Sequence, residues 1–418
     1  MKRLILFLVI FLLLSGCFGI SADIPEPPRV AVETPAPTPT PEPVEPSPEL
    51  EPEPEPDPIE IRIQLTGDVL LHRGPIEAAR TGPNTFDFRP FLRDIKPFLD
   101  GDLVITNMET PVDVLGENRD ITTFPRFNAP FEILEALKYA GFNHLISANN
   151  HSFDRGFDGL LATVENFERA GIAQTGMYVD EESFHIPTIL DVSGIQVGII
   201  AYTDSVNGLE TLVPAAMRPY AVRRFRSHTT EDVPNMAEDI AWLREAGAEL
   251  VIVSLHWGAE YVDRPTEMQR QIAKGLSDAG ADVIMGNHAH VVQPVEWHVR
   301  EDGSRSLIVY SLGNFLADQT RLSPPIARTQ YGMVVSVQVR KEPCGEIRLV
   351  SCEVLPTLCM RDSSGRTLGI VNGISVMPLI GGELPEFVTD ANLRDWGRRA
   401  YEHVVRIVGE EFVTRTAP

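Results

Sequence analysis

Five apolar segments, each followed at once by residues of metal-ligand type, most constrain how this chain can fold. They run into Asp68, Glu109, the Asn150-His151 pair, His256 and the turn from Gly286 to His290. Between them, apolar residues recur with helical spacing, so strands and helices alternate along the chain. This alternation predicts an α/β fold with largely buried strands. Because sites in such sheets form beyond the carboxyl ends of the strands, we expect these segments to share one site.

The same periodicity locates the individual elements. Strands are expected over 61–65, 103–105, 144–146, 196–201, 251–256 and 282–285. Helices are expected over 91–99, 131–139, 160–170, 237–246 and 268–279. Beyond residue 295 the pattern changes to strands alone, over 307–310, 333–339 and 347–355, before an amphipathic helix over 393–408. The chain therefore predicts extra C-terminal strands and a terminal helix.

The donor atoms at the strand ends suit a metal centre. They comprise two carboxylates, one amide and three imidazoles, from Asp68, Glu109, Asn150, His256, His288 and His290. Mixed nitrogen and oxygen donors without thiolate favour Mn, Fe, Zn or Co, and these residues leave the identity of the metal open. Six donors exceed what one tetrahedral ion needs. A pair of divalent ions that share a carboxylate fits better, and such pairs activate water against phosphoryl groups. A single-ion site stays an alternative.

The N-terminus has the pattern of an exported lipoprotein. A basic pair, Lys2-Arg3, precedes an apolar run over 4–14 that is too short for a comfortable membrane span. The following Leu14-Ser15-Gly16-Cys17 resembles a bacterial lipobox. Residues 1–17 are therefore predicted to be a lipoprotein signal peptide, and Cys17 the lipidated residue that anchors the chain to the outer face of the cell membrane. An ordinary signal peptide with an incidental cysteine is the alternative.

Residues 18–58 are rich in Pro and Glu and cannot supply an apolar core. The favoured state of such a segment is extended polyproline II, at about 3.1 Å per residue, so it could reach on the order of 100 Å. We predict a disordered stalk that acts as a solvated spacer and has no partner of its own.

The formal net charge of −23 restricts the partners of the chain. The Pro/Glu-rich segment carries less than half of this charge, so the folded part is also strongly acidic. Such a domain is a poor general binder of nucleic acid, and an anionic substrate would need bound cations to reverse the local sign. The cysteines Cys344, Cys352 and Cys359 lie away from the ligand-bearing segments. One disulfide and one free thiol are compatible with an exported protein, and the sequence does not choose the pair.

Several motifs together resemble a known family. They are Gly67-Asp68, Asn107-Met108-Glu109, Asn149-Asn150-His151 with Asp154 and Gly156, His256-Trp257-Gly258 with Glu260-Tyr261, Gly286 to Gln293, and Tyr310 to Phe315. In this order they resemble the CapA-type poly-γ-glutamate capsule synthesis proteins, which are similar to the calcineurin-like metallophosphoesterases. The resemblance implies a four-layer αββα sandwich over residues 59–320. Residues 321–418 would be the C-terminal part of the same domain or a subsidiary region.

The resemblance also implies a role for each motif residue. Asp68 and His290 would bind a first metal, Glu109 would bridge, and a second metal would be bound by Asn150, His256 and His288. His151 would be the general acid, oriented by Asp154. Substrate contacts could come from His72, Gln293 and Asn314, although the turn that contains Asn314 could equally be structural. One position departs from the superfamily pattern, because Leu70 stands where a histidine is usual.

Three functions follow as alternatives. The first is a surface-tethered, metal-dependent hydrolase or transferase, of phosphoesterase type, in the biosynthesis of capsule, poly-γ-glutamate or a related polymer. The second is a non-catalytic subunit that binds or exports an anionic polymer as part of its synthesis complex, which the leucine at position 70 favours. The third is a purely structural surface lipoprotein. The sequence leaves the substrate and the oligomeric state open.

Overall fold

Two mixed β-sheets lie at the centre of the structure, a computed structural model that describes residues 57–112, 120–319, 327–369 and 372–414. All of these residues belong to one unit, Glu55–Pro418. The predicted signal peptide, Cys17 and nearly all of the predicted stalk lie outside the described residues. Within the described part of the chain, no helix is both long and apolar enough to cross a membrane.

The elements follow one another in this order: β1 Ile59–Leu70, α1 Arg73–Ala79, β2 Arg80–Gly82, β3 Thr85–Phe86, α2 Arg89–Leu92, β4 Leu103–Met108, α3 Glu132–Ala140, β5 His144–Ile146, α4 Gly156–Ala170, β6 Ala173–Thr175, α5 Glu181–Phe184, β7 Thr188–Val192, β8 Ile195–Thr203, α6 Val233–Glu245, β9 Leu250–His256, α7 Glu267–Asp278, β10 Val283–Asn287, β11 Val295–Val299, β12 Arg305–Val309, β13 Asn314–Ala317, β14 Tyr331–Lys341, β15 Ile347–Asp362, β16 Gly373–Pro378 and α8 Ala391–Val408. Strands β2 and β3 form a separate small hairpin.

The first sheet has the strand order β16-β15-β14-β1-β4-β5-β6, and β13 pairs with the end of β1. Strands β1, β4, β5 and β6 are parallel, whereas β14, β15 and β16 are antiparallel to their neighbours. The second sheet has the order β11-β12-β10-β9-β8-β7, with β8, β9, β10 and β12 parallel. Each sheet therefore collects the carboxyl ends of several parallel strands at one edge.

Four layers result, because both sheets bury both faces. Side chains such as Ile63 and Leu65 of β1 pack with Val197 and Ile252 of the second sheet in the largest core cluster. The outer face of the first sheet packs against α2 and α3, and that of the second against α6 and α7. This confirms the predicted αββα sandwich. The near-continuous apolar runs of the parallel strands reflect this burial on two sides.

The C-terminal strands extend the first sheet, since β14 pairs with β1 over eight residues of register, from Ile59 to Thr66. Helix α8 begins after Asp390, whose carboxylate accepts hydrogen bonds from the N–H groups of Asn392 and Leu393. Its buried residues Ala400 and Val404 join the core between the sheets. The apolar stripe of α8 therefore covers core that β14 and β15 would otherwise expose.

Two expectations need correction. The helix predicted over 91–99 is a short helix, α2, followed by a 3₁₀ turn at Lys96–Phe98, because Pro97 has no N–H group to continue an α-helical ladder.

The cysteines of the described chain form no disulfide: Cys344 is exposed, and Cys352 and Cys359 are buried, free and placed on one strand. Burial raises the pKa of both buried thiols to about 12.

Candidate metal centre

The carboxyl ends of strands from both sheets meet at one place. Asp68 lies near the end of β1, and Glu109 directly follows β4, the strand that pairs with β1. From the other sheet, His256 ends β9, and His288 and His290 follow β10. All of these residues except His288 are at most 3% exposed. The two sheets together thus form a centre that neither could form alone.

Two amides hold the carboxylate of Asp68. The Nδ2 groups of Asn107 and Asn287 donate to its Oδ1 at 2.8 and 2.9 Å. Its other oxygen, Oδ2, lies 3.3 Å from Nδ1 of His290. Oδ2 also accepts a longer hydrogen bond from the N–H of His288, at 3.4 Å. Because Oδ1 already accepts two shorter hydrogen bonds, Oδ2 is the oxygen better placed to bind a cation.

Glu109 is common to both groups of side chains that could hold a metal ion. It combines with Asp68 and His290 in one group, and with His256 and His288 in the other. Its carboxylate is fully buried, and neither of its oxygens receives a hydrogen bond. Burial and the neighbouring Asp68 carboxylate raise the pKa of Glu109 well above its usual range. A buried carboxylate without donors is the arrangement that a bound cation would satisfy, so these residues fit divalent ions.

The second group has a dense set of donors around His256. Nε2 of His256 lies 3.0 Å from Oδ1 of Asn150, 3.1 Å from Nδ1 of His288 and 3.3 Å from Oε1 of Glu109. Burial and the adjacent imidazoles lower the pKa of His256 far below its usual range, and burial lowers that of His288 to about 4. Both imidazoles are therefore neutral near pH 7, which is the form that binds metals.

His288 and His290 occupy left-handed backbone conformations, with φ of 93° and 56°. L-residues seldom adopt such angles, and each costs on the order of 1–3 kcal/mol, so the surrounding structure must enforce them. The turn sends His288 toward His256 and His290 toward Asp68. Although burial lowers the pKa of His290, the carboxylate of Asp68 outweighs this effect, and the net pKa is raised.

Two glycines allow the strand ends to approach this closely. A Cβ atom on Gly67 would lie 1.9 Å from the carbonyl oxygen of Gly313, and one on Gly286 would lie 2.0 Å from that of Tyr310. Real Cβ atoms do not come so near to backbone oxygens. Gly67 and Gly286 therefore let β1 and β10 bring their ligand residues next to the adjoining backbone.

His151 and Asp154 form a hydrogen-bonded pair beside the centre. Nδ1 of His151 lies 2.8 Å from Oδ2 of Asp154, and the N–H of Phe127 donates to the same oxygen, also at 2.8 Å. The phenyl ring of Phe127 meets the imidazole edge to face at 4.7 Å. Asp154 fixes Nδ1, so Nε2 is the nitrogen of His151 that remains for proton transfer.

A cavity of about 460 Å³ opens onto the centre. Its lining includes His72, His151 and His290. Of the three candidate substrate contacts, only His72 lines it. Asn314 is fully buried and accepts a hydrogen bond from Nδ1 of His290 at 3.0 Å, so its place is that of a positioning residue. Gln293 is also buried and donates to the carbonyl of Val262.

The position of the unusual leucine is apolar. Leu70 is 2% exposed and clusters with Phe127 and Ala317. Position 70 therefore supplies no imidazole. Among the described residues, neither of the two ligand groups contains His72.

Three supporting residues escaped the sequence analysis. Asn107 and Asn287 lie inside the recognised motifs, beside Glu109 and His288, but their spacing does not reveal that both bind Asp68. Phe127 lies outside every motif and has no signal in the sequence. The two adjacent asparagines of the third motif also differ in role. The side-chain amide of Asn149 donates to the carbonyl of Met108 and so holds the turn. Oδ1 of Asn150 instead lies 3.0 Å from Nε2 of His256.

Comparison with known proteins identifies the family of this chain. The profile of the family described as bacterial capsule synthesis protein PGA_cap matches residues 62–319, which contain every ligand residue above. The chain belongs to this family. It is 28% identical to the capsule biosynthesis protein CapA of Bacillus anthracis over 259 residues, which cover 61% of this chain and 59% of that protein. With the PGA biosynthesis protein CapA of Bacillus subtilis, the identity is 28% over 258 residues, covering 62% and 63%.

This PGA_cap-family chain matches a further relative over a shorter stretch. A probable polyglutamine synthesis accessory protein of Mycobacterium tuberculosis is 29% identical over 206 residues, covering 47% of this chain and 51% of that protein. The chain thus matches only about half to three-fifths of the length of these relatives.

Among solved structures, the NAD nucleotidase of Haemophilus influenzae aligns with a TM-score of 0.42 and 14% identity, over 87% of this chain and 65% of the nucleotidase. A 5'-nucleotidase of Candida albicans aligns with a TM-score of 0.36 and 11% identity, over 82% and 57%.

Proposed function

We propose that this protein is a metal-dependent hydrolase or transferase that acts in the synthesis of capsule, poly-γ-glutamate or a related anionic cell-surface polymer. The observation that carries the proposal is Glu109, a buried carboxylate without hydrogen-bond donors that is shared by two ligand groups. The family and the capsule-related names of its relatives support a role in the synthesis of such a polymer. Bound divalent ions would also let a strongly acidic chain accept an anionic substrate.

The residues of the chain have separable tasks in this proposal. Asp68, Glu109 and His290 would hold one ion, and Asn150, His256 and His288 would complete the site of the other around the shared Glu109. Such ions supply activated water and polarise the bond to be cleaved. His151 donates a proton from Nε2 to the leaving group, while Asp154 holds its Nδ1.

The decisive experiment combines metal analysis with an activity screen. Purified protein is examined for bound divalent metal and then tested against phosphoesters and poly-γ-glutamate, as wild type and as His151→Asn. Because a general acid typically contributes about 10²–10⁴-fold, we expect the variant to lose turnover by this order while its metal content stays unchanged. His298→Asn is the matched control, since His298 pairs with Asp278 away from the centre. Undiminished activity of His151→Asn would contradict the assignment.

A second candidate is a non-catalytic subunit that binds or guides the polymer. The observation in its favour is Leu70, which packs against Phe127 where the superfamily has a metal-binding histidine. A protein that retains metal and binds poly-γ-glutamate, but turns over none of the substrates, would establish this function instead.

We also propose that the chain is exported and anchored to the outer face of the cell membrane through a lipid on Cys17. The signal-like N-terminus and the lipobox-like sequence support this proposal. Cys17→Ala should release the protein from the membrane fraction. Mass spectrometry of the mature N-terminus should find an acylated Cys17, and an unmodified cysteine would contradict the anchor.

A further inference from the structure

The first group of metal ligands, at Asp68, Glu109 and His290, has a further oxygen beside it. Oδ1 of Asn314 lies 3.0 Å from Nδ1 of His290. We propose that this amide oxygen is itself a ligand of the ion in the first group. The inference rests on the proposed function and specifies how the first site of its metal centre is completed.

The orientation of the Asn314 amide is fixed by its nitrogen. Nδ2 donates to the backbone carbonyl of Thr329 at 2.7 Å and to Oε1 of Gln319 at 3.0 Å. Because a carbonyl can only accept, the amide nitrogen must face Thr329, and the amide oxygen therefore faces His290. Asn314, Gln319 and Thr329 are all at most 4% exposed, so the amide is held by protein contacts and not by water.

Backbone pairing places Asn314 next to Asp68. Strand β13 begins at Asn314, which is the register partner of Asp68 in the parallel pair of β1 and β13. The N–H of Asp68 donates to the carbonyl of Gly313 at 3.0 Å, and Gly67 lacks the Cβ atom that would strike this carbonyl. The amide oxygen thus comes from a paired strand, which holds it as firmly as the carboxylate beside it.

Three oxygens surround Nδ1 of His290 at distances typical of ligands that share one ion. They belong to Asn314 at 3.0 Å, to Asp68 at 3.3 Å and to Glu109 at 3.8 Å. Donor atoms about 2.2 Å from an ion lie roughly 3.1 Å apart at octahedral angles and roughly 3.6 Å apart at tetrahedral angles. Nδ1 is therefore the nitrogen that faces the first ion, and Oδ1 of Asn314 has the spacing of a neighbouring ligand.

Metal binding changes the contact between Asn314 and His290. While Nδ1 carries a hydrogen, Oδ1 accepts it, and the contact is an ordinary hydrogen bond. An imidazole nitrogen that binds a metal has lost its hydrogen, so two lone pairs would then face each other across this distance. A cation bound to both atoms removes the repulsion, because each lone pair is directed at positive charge.

The second group has an amide oxygen in the same relation to a histidine. Oδ1 of Asn150 lies 3.0 Å from Nε2 of His256. With Asn314 included, each group consists of four residues, namely the shared Glu109, one asparagine and two others. The apolar side chain of Leu70 then leaves neither ion short of a ligand. Carboxylate and amide oxygens with imidazole suit Mn²⁺, which is therefore the probe for the test.

The test titrates Mn²⁺ into the purified full chain, followed by calorimetry and by the electron paramagnetic resonance signal of free Mn²⁺. We expect Asn314→Leu, which lacks a donor oxygen, to weaken one bound ion about 10-fold or more and to leave the other in place. Asn314→Asp keeps an oxygen at this position and should retain both ions. Asn166→Leu is the matched control, since it removes a buried amide that donates to the carbonyl of Val112, and it should bind Mn²⁺ as wild type does.

Anomalous diffraction from Mn²⁺-loaded wild-type crystals separates a ligand from a residue that only positions His290. We expect Oδ1 of Asn314 about 2.2 Å from an ion that also contacts Asp68. An ion in the first group that lies more than about 3 Å from Oδ1 would overturn the inference, even if Asn314→Leu loses metal. Unchanged affinity for every ion in Asn314→Leu would overturn it too.

Failure of the proposed function has a different result. If wild-type protein binds no divalent ion, the metal centre itself is refuted, and the role of Asn314 falls with it. If wild-type protein binds Mn²⁺ through Asp68 and Glu109 without Asn314, only the present inference is wrong.

Discussion

At the scale of single residues, the site depends on which atoms are already occupied. Oδ1 of Asp68 accepts two short hydrogen bonds from side-chain amides, whereas Oδ2 accepts only a longer one from the N–H of His288. Nδ1 of His151 is held by Asp154, so Nε2 is its nitrogen left for chemistry. Glu109 is the opposite case, because both of its oxygens lack donors. The residue types were predictable from the sequence, but their hydrogen-bond partners were not. Asn287 lies 219 residues from Asp68 along the chain.

Asp154 offers a residue-scale prediction about catalysis. Asp154→Asn keeps the shape of the side chain but removes the charge that orients His151 through Nδ1. We expect turnover to fall about 10²-fold or more without loss of metal, in steady-state assays on the substrate that the screen identifies. Asp278→Asn, which alters the pair with His298, should leave turnover intact. Equal effects of the two substitutions would remove the positioning role.

His144 offers a prediction about pH and stability. It is fully buried, Nε2 contacts Oγ1 of Thr175 at 3.0 Å, and burial lowers its pKa from 6.5 to about 3. The unfolded chain gains this proton below about pH 6.5, and the folded chain does not, so stability is lost as the pH falls toward 3. The slope is about 1.4 kcal/mol per pH unit for one proton. Urea unfolding of His144→Leu should show a flatter pH dependence, whereas His228→Leu should match wild type.

At the scale of elements, periodicity predicted most strands and helices but not their limits. Strand β15 continues through Pro356 to Asp362, beyond the expected end at 355, because β14 and β16 pair with it on both sides. Helix α4 begins at Gly156, four residues before its apolar spacing becomes clear. Pairing across the sheet, which a local pattern does not contain, set the end of β15.

Gly67 gives a prediction at this scale. Gly67→Ala would push β1 away from the backbone of Gly313, since the added Cβ has only 1.9 Å of space. We expect a loss of about 1–3 kcal/mol in the free energy of unfolding and weaker metal binding, measured by denaturant unfolding and metal titration. In Gly275→Ala the nearest atom is a side-chain methyl of Val233, which can shift. That control should cost little, and a neutral Gly67→Ala would refute the close approach.

At the scale of the whole molecule, the candidate centre joins the two sheets. Asp68 and Glu109 belong to the first sheet, whereas His256, His288 and His290 come from the second. An ion bound by both sets would therefore oppose their separation. The remaining interface between the two sheets consists of apolar core residues from both.

Metal removal tests whether a bound ion stabilises the packing of the two sheets. Since a ligand at 100 times its dissociation constant stabilises the folded state by about 2.7 kcal/mol, chelation should lower the Tm, and added divalent metal should restore it. Glu109→Gln should show almost no dependence of Tm on metal, as it removes the shared carboxylate. Identical thermal unfolding of wild-type protein with and without chelator would contradict a structural contribution of the metal.

The sequence by itself determined the alternation of strands and helices, the ligand types at the strand ends and the resemblance to the family. These features are local, and each can be recognised within a few residues. Only the tertiary structure decided that Asn107 and Asn287 hold Asp68, that Asn314 supports His290, and that His72 and His151 share one cavity. Such contacts join residues far apart in the chain, and they depend on how the two sheets pack rather than on any local pattern.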